Sequence, residues 1–283
     1  MSVAHSSPLP SDTHAIITGG SSGIGRATAA VLAQQGASLT LIARTASKLE
    51  ETRQAIERQG LQNSQQVLTL TADVSDRAQV EKAIGDAIAT LGPPDLLITC
   101  AGIAHCDYFQ NLSLEMCEQA MAVNYFGSLY CIRAVLPAME QRRQGHIVVV
   151  SSGVGLIGLY GYSAYSPTKF ALRGLAESLR GELKPLGIGI SIVYPPDTDT
   201  PQLAQENLTK PLETQRISST AKTWTAEQVA HTILSGLKNK KFMIAPGQEM
   251  TVLARLHSLI SPLLHRYFDG IVAKTRRERQ SHD

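Results

Sequence analysis

The chain has 283 residues, 43% of them hydrophobic and 18% charged, and its 26 basic and 24 acidic side chains leave a formal charge of +2. A chain this long buries a core without a metal or disulfide staple. So small a net charge excludes nucleic acid as the main partner, and no stretch approaches the ~20 uninterrupted apolar residues of a membrane-spanning helix.

Cys100, Cys106, Cys117 and Cys131 show neither the paired spacing of a zinc site nor a secreted disulfide framework, and no histidine pair shares one helical face. The expectation is reduced thiols, no metal and a cytoplasmic setting. The opening segment MSVAHSSPLPSDTH lacks the basic and apolar regions of a signal peptide and reads as a disordered arm over residues 1–12.

Beyond the arm, strand-like and helix-like segments alternate. Strand Ala15–Thr18 leads through a glycine-rich turn to a helix over Ile24–Gln35, then strand Ser38–Ala43 and helix Ala46–Gln59. Strand Val67–Thr71, helix Asp76–Leu91 and strand Leu96–Thr99 follow, and two helical stretches cover Leu114–Arg143. Strand His146–Ser151, helix Tyr165–Leu186, strand Gly189–Val193, helix Ala226–Leu237 and strand Phe242–Ile244 complete the series.

The strands are short and almost continuously apolar, as in Ile147-Val148-Val149-Val150, which suits strands covered on both faces. Helices recurring between them imply right-handed crossovers. The predicted fold is α/β: one doubly wound, Rossmann-type domain over residues 13–247, with a mostly parallel seven-stranded sheet and helices on both faces. Ligands bind such sheets at the carboxyl ends of the strands. The irregular stretch Asp197–Thr223 follows a strand end and reads as a lid or binding loop.

Thr18-Gly19-Gly20-Ser21-Ser22-Gly23-Ile24-Gly25 joins the first strand to the first helix. Gly19, Gly23 and Gly25 allow a tight turn and close approach of a pyrophosphate to backbone N–H groups, and the helix N-terminus adds its positive end. With strand and helix on the required sides, the turn predicts a dinucleotide site. The second strand ends in Arg44, with no acidic residue before Glu50. An acid there would take a ribose 2′-hydroxyl, whereas a guanidinium accommodates a 2′-phosphate. Ser21, Ser22 and Lys48 lie in reach of the same group, so NADPH/NADP+ is expected over NAD. Asp73, followed by Val74, either bonds the adenine amino group or caps the next helix. Ala101 and Gly102 offer small residues where backbone passes the cofactor.

Tyr165 and Lys169 stand one helical turn apart. An ammonium there favours the phenolate of a group whose ordinary pKa is about 10. Ser152, at the carboxyl end of its strand, is placed to donate to a carbonyl oxygen. Asn124 is a poor helix-interior residue inside a helical stretch, the kind of local misfit expected at a functional site.

The order TGGSSGIG, Asp73, CAG, Asn124, Ser152 and YSPTK resembles the short-chain dehydrogenase/reductase superfamily over roughly residues 12–245. The resemblance implies that Tyr165 is the general acid/base and that Ser152 polarises the substrate carbonyl. It implies that Lys169 binds the nicotinamide ribose and lowers the Tyr165 pKa, while Asn124 holds a relay water. It also implies cofactor contacts from Pro195, Thr198 and Thr200, and a homodimer or homotetramer through the Asn124 and Tyr165 helices. Where that superfamily has Pro-Gly after the sixth strand, this chain reads Tyr194-Pro195-Pro196-Asp197-Thr198-Asp199-Thr200-Pro201. That string, with CAG and AYSPTKFALRGLAESL, is similar to the 3-ketodihydrosphingosine reductases, which implies NADPH-dependent reduction of 3-ketosphinganine. A generic carbonyl, 3-ketoacyl or hydroxysteroid reductase is the alternative, and a non-catalytic NADP(H)-binding regulator a remote one. Asp197 and Asp199 either pair with a substrate ammonium or cap turns.

Over residues 248–283, Val252, Leu256, Leu259, Ile260, Leu263, Leu264, Phe268 and Ile271 recur at helical spacing, followed by a basic tail of Lys274, Arg276, Arg277 and Arg279. Pro262 should kink or split this helix. The stripe either lies on a membrane surface or packs over the substrate loop or a second subunit.

Overall fold

The computed structural model describes residues 13–61, 64–219 and 222–280; the arm expected over residues 1–12 lies outside them. The first half of the chain runs β1 (His14–Thr18), α1 (Gly23–Gln34), β2 (Ser38–Ala43), α2 (Ala46–Glu57), β3 (Val67–Thr71), α3 (Arg77–Leu91) and β4 (Leu96–Thr99). Then come α4 (Leu114–Met121), α5 (Gly127–Arg142), β5 (Gly145–Val150), α6 (Ser166–Leu183) and β6 (Ile188–Val193). The chain closes with β7 (Thr198–Asp199), α7 (Pro201–Glu206), α8 (Leu212–Ser218), β8 (Trp224–Thr225), α9 (Ala226–Lys238), β9 (Met243–Ile244) and α10 (Gly247–Gln280).

Seven strands form one sheet in the order β3-β2-β1-β4-β5-β6-β9, and each of its pairings is parallel. The expected Rossmann-type fold is therefore present. Side chains alternate across a strand, and the core shows it: Ile16, Ile147 and Val149 join one apolar cluster, while Ala15, Ile17, Val148 and Val150 join the other. A strand that feeds both layers must be apolar at nearly every position, which is why these runs read as unbroken in the sequence.

The chain leaves β1 toward β2 on one side and returns through β4 on the other, so the strand order reverses between β1 and β4. That is where a crevice opens in such sheets.

Two expectations are corrected. The Asp197–Thr223 stretch is not irregular throughout: it holds α7, α8 and the β7–β8 pair, short elements held by tertiary contact rather than by propensity. Pro262 does not split the last helix, since α10 is continuous over 34 residues with Pro262 inside it. Pro262 and Ser258, whose carbonyl loses its helical partner, are both exposed residues. Both flanks are anchored as well. Ala254 packs in the core, and buried Thr275 accepts a hydrogen bond from Arg216 of α8 at 3.0 Å. The basic residues expected as a free tail continue this helix. Arg276 and Arg279 donate to the hydroxyls of Tyr160 and Tyr108, and Arg216 pairs with Glu278 at 2.6 Å. The far end of α10 thus braces α8.

Candidate active site

One cleft lies along the carboxyl ends of β1, β4, β5 and β6, floored by the glycine turn and roofed by α7. At its floor Gly19 has φ +68°, and a Cβ there would stand 2.8 Å from the Ala101 backbone nitrogen. Only glycine lets the β1 turn and the β4 end approach this closely. The Thr18 hydroxyl accepts from the Cys100 and Ala101 N–H groups, both at 3.2 Å, and ties the two ends together. At the start of α1, Ser22 makes no side-chain cap. The first-turn N–H groups therefore stay open toward the cleft, an arrangement that fits a pyrophosphate.

Beside this turn, the Gly19 N–H donates to the Ile42 carbonyl at 2.8 Å, which brings the end of β2 alongside. Arg44 and Lys48 project there, exposed, with Ser21 half-buried nearby. Asp73 accepts from the Ser75 N–H and hydroxyl at 2.9 and 2.7 Å. It does not cap α3, because Asp76 does so through the Ala78 and Gln79 N–H groups. The Val74 side chain is buried and packs beneath Gly127.

Toward the other end, Ser152, Tyr165 and Lys169 line the same cleft. Tyr165 is only 7% exposed. Lys169 Nζ lies 5.4 Å from its ring centroid and donates to the Val150 carbonyl at 3.1 Å. In the chain alone the Tyr165 pKa is raised rather than lowered. Burial raises it and the Glu206 carboxylate adds to the rise, against hydrogen bonding from Gln202 and Ser152. Desolvation of the phenolate is the largest cause. Burial also pushes Lys169 down to about 8, opposed by Cys100 and Glu206.

Asn124 is fully buried and occupies a π-helical turn, Ala122–Phe126, between α4 and α5. Such turns often sit at functional sites, which accounts for the misfit read in the sequence. Its side chain pairs with both polar groups of the Ile103 backbone, at 2.8 and 2.9 Å, and donates to the Thr168 hydroxyl at 2.9 Å. Thr168 in turn donates to the Tyr165 carbonyl at 2.7 Å. This chain of bonds locks the start of α6 against the loop after β4.

Residues 13–211 match the family described as short chain dehydrogenase.

The chain belongs to that family.

Its members are nicotinamide-dependent oxidoreductases acting on CH–OH groups. The chain is 45% identical over 251 residues to a 3-ketodihydrosphingosine reductase of Bos taurus, covering 88% of this chain and 76% of the relative. It is 44% identical to a 3-dehydrosphinganine reductase of Danio rerio, over 91% of this chain and 79% of the relative. Among solved structures, a short-chain dehydrogenase/reductase from Burkholderia phymatum in complex with NAD is similar, with TM-score 0.78, 25% identity, and coverage of 89% of this chain and 95% of that one. Levodione reductase matches with TM-score 0.75 and 26% identity over 83% and 95% of the two chains.

In this dehydrogenase the predicted residues Gly19, Ser22, Gly23, Ile24, Gly25, Ala101, Gly102, Ser152, Tyr165, Lys169, Pro195, Asp197, Thr198 and Thr200 converge on the cleft. The Thr200 hydroxyl caps α7, accepting from the Leu203 N–H at 3.3 Å. Asp199 is not part of the cleft lining: it alternates with buried Thr198 across β7 and faces solvent. The sequence reading missed Tyr162, Gln202 and Glu206, which also line the cleft. Tyr162 carried a weak signal, three residues before Tyr165. Glu206 carried none.

Proposed function

We propose that this dehydrogenase uses NADPH to reduce the ketone of 3-ketosphinganine to the secondary alcohol. One observation carries the reading: a chain 45% identical to a 3-ketodihydrosphingosine reductase gathers Ser152, Tyr165 and Lys169 in one cleft with an open helix N-terminus. Bound nicotinamide supplies the hydride. Ser152 donates a hydrogen bond to the substrate carbonyl oxygen, and Tyr165 delivers the proton that this oxygen takes up. The raised pKa of Tyr165 keeps that proton in place at neutral pH. Lys169 holds the nicotinamide ribose hydroxyls. Asn124 is a positioning residue, acting through Ile103 and Thr168, and in this reading also supports the water through which Tyr165 is reprotonated. Arg44, Lys48, Ser21 and Ser22 bind the 2′-phosphate and pyrophosphate, with Asp73 and Val74 at the adenine.

Nucleotide oxidation tests the assignment, with 3-ketosphinganine beside a 3-ketoacyl thioester and NADPH beside NADH. Turnover of the amino ketone with NADPH is the expected result. Turnover of the thioester alone keeps the mechanism and overturns the substrate. No turnover of either, despite tight NADPH binding, points to a non-catalytic regulator.

The substrate is a lipid, and in this reading α10 meets it at a membrane surface. Among the described residues no helix is long and apolar enough to cross a membrane. α10 nevertheless leaves Leu259 76% and Leu263 65% exposed, in line with exposed Val252, Leu256 and Tyr267. Arg255 and Arg266 flank this stripe, as suits a helix lying on an anionic interface. The intact protein should float with anionic liposomes, and Leu259→Glu with Leu263→Glu should release it. Protein that stays in solution in both forms discards the membrane contact.

A further inference from the structure

The acidic groups beside Tyr165 differ in how their charge is met. Asp197 has a cation nearby, with Lys210 Nζ 3.8 Å from its Oδ2. Glu206, the last residue of α7, is only 7% exposed. Its Oε2 accepts from the Tyr162 hydroxyl at 2.7 Å, and its Oε1 accepts from Gln202 Nε2 at 2.9 Å. Both donors are neutral. Among the described residues no cationic nitrogen lies within 4 Å of its oxygens. A buried carboxylate with only neutral donors is costly to hold. This one lines the cleft beside Tyr165, where a substrate must present its carbonyl.

We propose that Glu206 is the specificity-determining carboxylate of this site, pairing with a substrate ammonium carried on the carbon next to the ketone. The proposal rests on the amino-ketone reading above and deepens it. Three features converge. Tyr162 and Tyr165 stand with ring centroids 5.9 Å apart, so the carboxylate bonded to the Tyr162 hydroxyl lines the same cleft as the Tyr165 ring. An ammonium supplies the charge-assisted hydrogen bond that neither neutral donor provides. The Glu206 charge also reaches the catalytic groups, raising both Tyr165 and Lys169. Tyr162 stays protonated, its pKa raised by burial and by Glu206 itself, and so remains a donor that fixes the carboxylate. Asp197 is the weaker candidate because Lys210 already faces it.

The test measures kcat/KM with NADPH for 3-ketosphinganine and for 1-hydroxyoctadecan-3-one, which lacks the amine, in wild type, Glu206→Gln and Glu206→Asp. Glutamine keeps the size of the side chain and one accepting oxygen, and removes the charge. In wild type the amino ketone is preferred. In Glu206→Gln that preference should shrink by about 10- to 100-fold, the scale of a hydrogen bond to a charged group, mainly through KM for the amino ketone. Glu206→Asp should restore part of it. Nucleotide affinity, read by NADPH fluorescence, reports on folding. An unchanged preference in Glu206→Gln, or equal loss on both ketones, assigns Glu206 a structural role as the tether of α7 to Tyr162 and overturns the proposal. If wild type reduces the desamino ketone but not the amino ketone, the amino-ketone reading falls first and the proposal with it.

Discussion

Tyr165→Phe should lower kcat by about 10²- to 10⁴-fold, the range for loss of a positioned general acid, or roughly 3–5 kcal/mol of transition-state stabilisation. Phenylalanine fills the same volume, so the buried ring and its packing survive while the transferable proton is lost. NADPH affinity should stay within about twofold. A variant that keeps more than a tenth of wild-type kcat would take Tyr165 out of the proton transfer. The pH profile separates this residue from its neighbour. Burial and Glu206 hold the Tyr165 pKa above its ordinary value, so the phenol remains protonated through neutral and mildly alkaline pH. Lys169, pushed down to about 8 by burial, is the group that changes charge first. Below that pH it is an ammonium able to donate to the ribose hydroxyls, and above it an amine. Because kcat/KM for NADPH reports groups of the free enzyme, it should fall as pH rises through about 8. A profile flat to pH 9.5 would show that the charge on Lys169 is not required.

Arg44→Asp should reverse the nucleotide preference. Arg44 follows β2 beside the glycine turn, exposed and without an ion-pair partner among the described residues. Removing a guanidinium–phosphate bond costs about 1.5–3 kcal/mol. A carboxylate in its place repels the 2′-phosphate and can accept from a free 2′-hydroxyl. The ratio of kcat/KM for NADPH to that for NADH should therefore drop by roughly 10²-fold or more. A preference that persists would move the phosphate away from Arg44, to Lys48 or the serines of the turn.

Much of this protein was legible before folding because it is written in local order. Continuous apolar runs such as Ile147–Val150 announce strands buried on both faces, and helices between them force parallel crossovers. The glycine turn, Ser152, and the Tyr165–Lys169 pair declare themselves because each sits at a strand end or within one helical turn. Even Asn124 showed as a misfit, and the π turn explains it.

What the sequence could not show depends on distance through space. Glu206 meets Tyr162 across 44 residues, and nothing in its neighbours marks it. Asp197 and Asp199 looked alike until the fold placed Asp197 in the cleft lining and left Asp199 exposed. Pro262 looked like a helix breaker because a local rule does not know that Ala254 and Thr275 are held at either side. The Tyr165 pKa looked lowered because spacing counts the lysine and not the desolvation around the phenol. By itself, then, the sequence determined the sheet, the glycine turn and several side chains that meet in the cleft, all properties of adjacent residues. Only the tertiary structure decided which carboxylate faces the cleft, which way burial shifts the titratable groups, and that the last helix braces α8. Desolvation and pairing are sums over neighbours that the chain brings together only when it folds.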